Sequence, residues 1–241
     1  MRIPFRTGAI PLIATLLLVA LGVTLGRWQD GRAEQKLALA ARIAAANAAA
    51  PLVLHGEQVA PERALWRRIA VTGTFVRDWP VYLDNRPNGG RAGFVLLMPF
   101  RIGHTATHVL VARGWLPRDP QDRERIAAYP TPPGVVTIEG LAKPDAGRLL
   151  QLGEPASLRP HAIVQNALPE DVARATGLAF EPFVIQQTSA DGSEGMLVRD
   201  WPAPDLGVDK HRGYAFQWYA LAVTAFLFFL VSGFRRGRKT S

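Results

Sequence analysis

Residues 7–26 read "TGAIPLIATLLLVALGVTLG", a run of twenty residues without a charge. At about 1.5 Å per residue, a helix of this length crosses the roughly 30 Å hydrocarbon core of a bilayer. Lipid offers no partners for backbone polar groups, so a run that lies in a membrane must be helical. Pro11 falls in the first turns, where a missing N–H matters least. The stretch predicts a transmembrane helix over 7–27.

A cleaved signal peptide is the alternative for this stretch, because "MRIPFR" at 1–6 fits a positively charged n-region. The apolar run is longer than the ~7–15 residues of the apolar h-region in a typical signal peptide, and no convincing A-x-A site closes it before Arg27. We therefore expect a retained membrane anchor.

A second uncharged run, "GYAFQWYALAVTAFLFFLVSGF" at 213–234, is followed by four Lys and Arg residues. It predicts a transmembrane helix over 211–234 and a basic cytoplasmic tail over 235–241. Two spans place both ends of the chain on one side, and the basic flanks make that side the cytoplasm. The central residues are then expected in a periplasm-like space.

The charge of the chain is concentrated at its ends. Six of the 28 Lys and Arg residues lie within 2–6 and 235–239, and the other 22 nearly balance the 20 Asp and Glu residues. A nucleic-acid-binding domain needs a basic face on its folded part, so we expect no nucleic-acid partner. The chain has no cysteine, which excludes disulfides, thiolate zinc sites and covalent c-type haem attachment.

Between the spans, the residue composition and its pattern change once, at Pro51. Residues 28–50 are rich in helix-forming Ala, Leu, Glu, Gln, Lys and Arg, which predicts a juxtamembrane helix that continues the first span and ends at Pro51. Residues 51–210 alternate β-branched or aromatic runs with Gly, Asn and Pro, as strands and turns do. The predicted strands are 67–75, 80–84, 93–101, 107–116, 134–142 and 181–188, with short helices at 121–128 and 169–176.

The predicted fold class is therefore α+β: two transmembrane helices flank a β-rich, mainly antiparallel and barrel-like extracytoplasmic domain. This domain carries no G-x-G-x-x-G, Walker, G-x-S-x-G or H-E-x-x-H motif, so we expect no enzyme. His104 and His108 are four residues apart, but the surrounding Thr and Val favour a strand or turn, where such a spacing does not gather metal ligands.

Two polar segments are expected at one membrane depth, because each lies where a span meets the central domain. They are "GRWQ" at 26–29 and "KHRGYAFQW" at 210–218. On a helix His211, Tyr214 and Trp218 are spaced i, i+3 and i+7 and share a face. Tyr and Trp there are typical of interfacial anchoring, whereas a histidine that opens the face is typical of a ligand site. Both interpretations remain open from the residues alone.

Several segments in this order resemble the surfeit locus protein one family, the assembly factors of cytochrome c oxidase. They are "LGRWQ" at 25–29, "VTGTF" at 71–75, "LDNRPNGGRAGFVLLMPF" at 83–100, "VLVARGWLP" at 109–117, "IEG" at 138–140 and "HRGYAFQWYALA" at 211–222. The residues within these segments that also fit the family pattern are Gly26, Trp28, Arg86, Arg113, Gly114 and Trp115, and we expect structural roles for most of them.

The resemblance implies a chaperone of the respiratory chain in a bacterial inner membrane, with both termini cytoplasmic and the central domain periplasmic. It implies that the protein holds haem a transiently and assists its insertion into the large catalytic subunit of the oxidase. Its partners would be that subunit, a haem a synthase or another haem donor, and the lipid bilayer. The alternative is a cofactor-free membrane scaffold that stabilises oxidase subunits during assembly.

The resemblance also implies that His211, with Trp218 nearby, handles the haem. His211 would be the ligand of the haem iron through a neutral ring nitrogen. Trp218 would pack on the macrocycle or its tail, and Tyr214 would extend the same face. Arg212, Arg27 or Lys210 would pair with the propionates at the headgroup level.

Overall fold

The computed structural model describes residues 7–151, 153–154, 156–193, 195–201 and 207–238, with residue 238 described by its backbone only. The chain divides into two compact units. One comprises Met1–Arg42 with Ala203–Ser241, and the other comprises Ile43–Pro202. The described residues form four helices, namely α1 (Ala9–Ala48), α2 (Pro61–Ala64), α3 (Pro169–Thr176) and α4 (Val208–Arg238).

The first unit is a pair of long helices, α1 and α4. Both are long and apolar enough to cross a membrane. Their outer surfaces are apolar and unburied: Leu17 is 66% exposed and Phe228 is 73% exposed. Apolar patches this extensive are rare on soluble monomers, and they are expected where lipid covers the surface. Helix α1 continues through Gly31 without a break, so it extends well beyond the predicted span.

The second unit is a closed barrel of mixed strands. The described part of this unit has eight strands, namely β1 (Leu52–Leu54), β2 (Arg68–Phe75), β3 (Val81–Leu83), β4 (Gly93–Ile102), β5 (Thr107–Pro117), β6 (Val136–Lys143), β7 (Ile163–Val164) and β8 (Ala179–Gln187). They lie in the order β1-β2-β6-β8-β5-β4-β3-β7, and an additional pairing of β2 with β4 closes the ring.

Most strand pairs are antiparallel, and β1–β2, β3–β7 and β5–β8 are parallel. The β-rich, barrel-like domain and its two flanking apolar helices confirm the predicted fold class. Strand β2 alternates buried and more exposed residues, whereas β4 and β5 are buried along most of their length.

The closure of the barrel depends on Gly73, the glycine of "VTGTF". Gly73 lies opposite Ile102, where β2 meets β4. A Cβ atom at this position would lie 1.9 Å from the backbone carbonyl oxygen of Arg101. Because no side chain fits at that distance, only glycine lets the two strands approach closely enough to pair here.

One predicted helix is wrong. Residues 121–128 form a bend, a turn and an isolated β-bridge at Ile126 instead of a helix, because the carboxylate of Asp119 accepts hydrogen bonds from the backbone N–H groups of Gln121 and Asp122 at 2.8 and 3.4 Å. The Asp122 carboxylate accepts from Glu124 N–H at 3.0 Å. These short side chains satisfy the backbone locally and compete with helix formation.

The other predicted short helix is confirmed as α3, with the predicted limits. Pro169 occupies its first turn, and the Asp171 carboxylate accepts a hydrogen bond from the backbone N–H of Leu168 at 3.3 Å. The helix ends at Gly177, which has a φ of 71°. These are the usual start and stop signals of a helix.

Candidate functional site

The two long helices pack through a G-x-x-x-G motif on α1. A Cβ atom on Gly22 would lie 2.9 Å from both the Trp218 carbonyl oxygen and the Ala222 Cβ. A Cβ atom on Gly26 would lie 2.5 Å from the ring of Tyr219. Small residues at such positions let two membrane helices bring their backbones close together. The two glycines therefore fix which faces of α1 and α4 meet.

This close approach brings two polar pairs together at one end of the helix pair. His211 Nδ1 lies 2.8 Å from Gln29 Oε1. The next residue of α1 is Asp30, whose Oδ2 accepts a hydrogen bond of 2.7 Å from the Tyr219 hydroxyl. All four side chains are half-buried between the helices. Each helix thus supplies one hydrogen-bonding partner to each pair.

The Gln29 contact determines what His211 can do chemically. An amide oxygen only accepts hydrogen bonds, so the ring nitrogen that faces it carries the proton. With Nδ1 protonated, Nε2 of a neutral imidazole keeps its lone pair. A neutral Nε2 on an oriented ring is a common metal-ligating atom. Among the described residues no group of three or more His, Asp and Glu side chains is gathered for a metal ion, so His211 stands as a single candidate ligand.

The other predicted site residues lie around His211 on α4. Trp218, two turns away, is half-buried on the face that meets Gly22. Tyr214 is 54% exposed, and Arg212 is also exposed. The structure therefore brings His211 and Trp218 to the face that meets α1 and leaves Tyr214 and Arg212 on the outer surface of α4.

The barrel holds a second polar cluster around Arg113, which is fully buried. Its guanidinium forms an ion pair of 2.7 Å with Asp191 and donates a hydrogen bond of 2.7 Å to Thr131. Arg199 contacts the other oxygen of the Asp191 carboxylate at 2.6 Å. Burial opposes ionisation of Asp191, but hydrogen bonds from Ser193 and both arginines outweigh it and hold the pKa of the carboxyl well below its ordinary value.

A third contact joins the turn at 85–90 to the barrel. Arg86 donates hydrogen bonds of 2.7 and 2.9 Å to the carbonyl oxygens of Asp84 and Gln165. The indole N–H of Trp115 in turn donates to the Arg86 carbonyl oxygen at 2.6 Å. Both terminal nitrogens of Arg86 and the indole N–H of Trp115 are thus hydrogen-bonded within the fold, as a structural role requires, while the buried Arg86 Nε has no hydrogen-bond partner among the described residues.

Comparison with known proteins decides the family. The SURF1 family model matches residues 16–223, which covers most of α1, the whole barrel and about half of α4. The chain belongs to the SURF1 family. This confirms the family indicated by the sequence segments, and the match includes Gln29, His211 and Trp218.

Two relatives show how far this SURF1 chain has diverged. It is 25% identical to Surfeit locus protein 1 of Mus musculus over 232 residues, which are 89% of this chain and 73% of the relative. It is 30% identical to a SURF1-like protein of Monosiga brevicollis over 129 residues, which span 49% of each chain. The second match therefore covers about half of the length of that relative.

The sequence did not indicate the Asp30–Tyr219 pair of this SURF1 protein. Tyr219 is equally typical of an interfacial aromatic belt. The available signal is the hydroxyl itself, because a tyrosine buried between helices needs a hydrogen-bonding partner, and Asp30 is the first acidic residue of the chain.

The two histidines of "HTATH" occupy different environments in the SURF1 barrel. His104 lies exposed in a turn, whereas His108 is buried in β5 with its Nδ1 3.3 Å from the Ala179 carbonyl oxygen. Burial lowers the pKa of His108, which favours a neutral core side chain. A shared metal site at this spacing has no support in the geometry.

Proposed function

We propose that this SURF1-family protein is a membrane-anchored assembly factor of cytochrome c oxidase that holds haem a and assists its insertion into the large catalytic subunit. Family membership supports the general role, because SURF1 proteins are known as cytochrome oxidase assembly factors. The observation that carries the haem proposal is the hydrogen bond from His211 to Gln29, which orients an imidazole and leaves Nε2 available.

We place the protein in the inner membrane of a bacterium, anchored by α1 and α4. The basic residues at both ends of the chain support cytoplasmic termini, and the barrel then lies in the periplasm. In this topology Gln29, Asp30 and His211 lie at the periplasmic surface of the membrane. A cofactor with an apolar body and charged propionates is best held at such a boundary.

The residues around His211 fit the chemistry of haem a. His211 Nε2 would ligate the iron, and Trp218 would pack against the macrocycle or its isoprenoid tail. Arg212 is exposed next to His211 and would pair with a propionate, while Tyr214 would cover the lipid-facing side. When bound, haem a would supply an iron that His211 holds and can release to a ligand of the recipient site.

The role of the protein's own groups is to bind and release rather than to catalyse. Gln29 would keep the proton of His211 on Nδ1 throughout, so ligation needs no proton transfer. A half-buried histidine at a helix surface holds a ligand less tightly than an enclosed pocket does, which suits transfer from a haem a synthase or another donor to the oxidase subunit. The lipid bilayer is a further partner in this arrangement.

A cofactor-free scaffold is the second candidate function. The observation in its favour is the apolar outer face of α4, where Phe216 and Phe228 are each 73% exposed. Such a face can pack against a helix of an oxidase subunit as well as against lipid. In that case the His211–Gln29 pair would only join α1 to α4.

The two functions differ in haem content. The full chain is co-expressed with the enzymes of haem a synthesis, purified in detergent and measured by a reduced-minus-oxidised spectrum. Haem a in the purified wild-type protein supports the carrier function. In that case His211→Ala should lose most of the haem a, and Trp218→Ala and Arg212→Ala should lose less of it. A haem-free protein whose deletion still lowers the yield of assembled oxidase supports the scaffold instead.

A further inference from the structure

The helix pair contains a groove at the end opposite to His211. It has a volume of about 330 Å³ and lies between α1 and α4. Its walls are apolar and include Pro11, Ala14 and Leu18 on α1 and Ala225, Phe228 and Phe229 on α4.

The mouth of this groove is polar. It is lined by Thr7 at the beginning of the first span, and by Ser232 and Arg236 near the end of α4. Residues 1–29 and 210–241 contain no Asp or Glu, so the sequence at this end of the helices is basic only. Basic pockets between membrane helices on the cytoplasmic side attract anionic lipid headgroups.

The depth of the groove matches one leaflet of a bilayer. From Thr7 to Leu18, and from Arg236 back to Ala225, each wall extends over twelve residues, which are eleven steps along the chain. At about 1.5 Å per residue this corresponds to about 16 Å, close to half of the roughly 30 Å hydrocarbon core. An extended acyl chain with its headgroup at the mouth would therefore end near the middle of the membrane.

We propose that this groove binds one acyl chain of an anionic phospholipid, whose phosphate pairs with Arg236. The lipid would act as a structural component that fills the space between α1 and α4 where Gly22 and Gly26 no longer hold the backbones in contact. The inference rests on the part of the proposed function that places both helices across a membrane. It does not depend on haem.

The test uses the full, haem-free chain, delipidated in detergent and titrated with phosphatidylglycerol or phosphatidylcholine under native mass spectrometry. We expect one tightly bound phosphatidylglycerol and about fivefold weaker binding of phosphatidylcholine, as one arginine at a membrane surface contributes about that factor. Arg236→Gln should remove this preference. Arg235→Gln is the matched control, because Arg235 is exposed and does not line the groove, and it should stay within about twofold of wild type.

A second pair of variants tests the acyl-chain seat. Ala14→Leu places extra volume in the groove and should weaken binding of both lipids, whereas Ala20→Leu, outside the groove on the same helix, should not. Circular dichroism confirms that each variant keeps its helices. The proposal would be overturned if the two lipids bound equally or if the two arginine variants had equal effects. It would also be overturned if a polyprenyl alcohol or a second copy of the chain displaced phosphatidylglycerol. Because no haem is present, none of these results bears on haem transfer.

Discussion

Replacing Gln29 with leucine removes the hydrogen-bond acceptor of His211 Nδ1 and keeps the side chain close to its original size. The 2.8 Å bond from Nδ1 to Oε1 is lost. The nearby Tyr219–Asp30 bond remains, so the helix pair itself should persist. The change therefore isolates the orientation of the imidazole from the packing of α1 against α4.

The expected loss of haem affinity is about tenfold. A typical hydrogen bond contributes about 0.5–1.5 kcal/mol, and His211 is only half-buried, so water partly replaces Gln29. Against this, removing the group that orients a ligating histidine typically costs about 10–100-fold in metal affinity. The lower end of that range, about 1.4 kcal/mol, is consistent with both considerations.

The assay is a haem a titration of the detergent-purified chain, followed by ¹⁵N NMR of its histidine rings. Wild type should show His211 protonated on Nδ1, and Gln29→Leu should lose that preference. Gln35→Leu is the matched control, because Gln35 is an exposed glutamine on the same helix that contacts Arg32. An unchanged haem affinity in Gln29→Leu, or an equal loss in Gln35→Leu, would refute a role for Gln29 in positioning His211.

Three further outcomes are expected. Asp191→Asn should destabilise the barrel by about 3–5 kcal/mol in chemical denaturation, because it breaks a buried ion pair. Since the pKa of Asp191 is lowered in the folded state, its carboxylate stabilises the fold above the ordinary pKa near 4, and this stabilisation is lost as the pH falls below that value. The free energy of unfolding of Asp191→Asn should therefore fall less in acid than that of wild type. An equal fall in both proteins would show that Asp191 does not cause the acid dependence. Gly22→Leu should lower the thermal stability of the helix pair in detergent by about 1–3 kcal/mol through overpacking, whereas Gly31→Ala, with no atom within 4 Å of the added Cβ, should be neutral or stabilising. A reporter that is active only in the periplasm should work when fused near residue 150 and stay silent after Ser241, and the reverse pattern would exclude the proposed topology.

Local signals account for the parts of the fold that could be predicted from the sequence. An uncharged run of twenty residues indicates a membrane helix by its length alone. Strand β2 shows the alternation of buried and more exposed residues that is typical of a strand with one face in the core. The expected helix at 121–128 failed because Asp119 and Asp122 bind the backbone of their own turn. The sequence indicated a barrel-like domain but not which strands close it, because closure depends on the pairing of β2 at Gly73 with β4, which is distant in sequence.

The sequence predicted at which membrane depth the candidate site lies, but it did not predict which side chains contact each other there. Topology alone brings the segments of Gln29 and His211 to the same surface. Which side chains meet there depends on how each helix is rotated, and that rotation is set by Gly22 and Gly26 against α4. The Asp30–Tyr219 bond depends on the same rotation, so no pattern within one segment indicates it.

The most direct test of the central claim is the haem a content of His211→Ala. The full chain is co-expressed with haem a synthesis, purified in detergent and compared with wild type by its reduced-minus-oxidised spectrum, with Trp218→Ala in parallel. We predict that His211→Ala loses its haem a or retains only a trace, because no packing contact replaces an axial bond to iron, while Trp218→Ala keeps a reduced amount. A His211→Ala protein with the haem content and spectrum of wild type would show that His211 is not the ligand and would leave the scaffold function in its place.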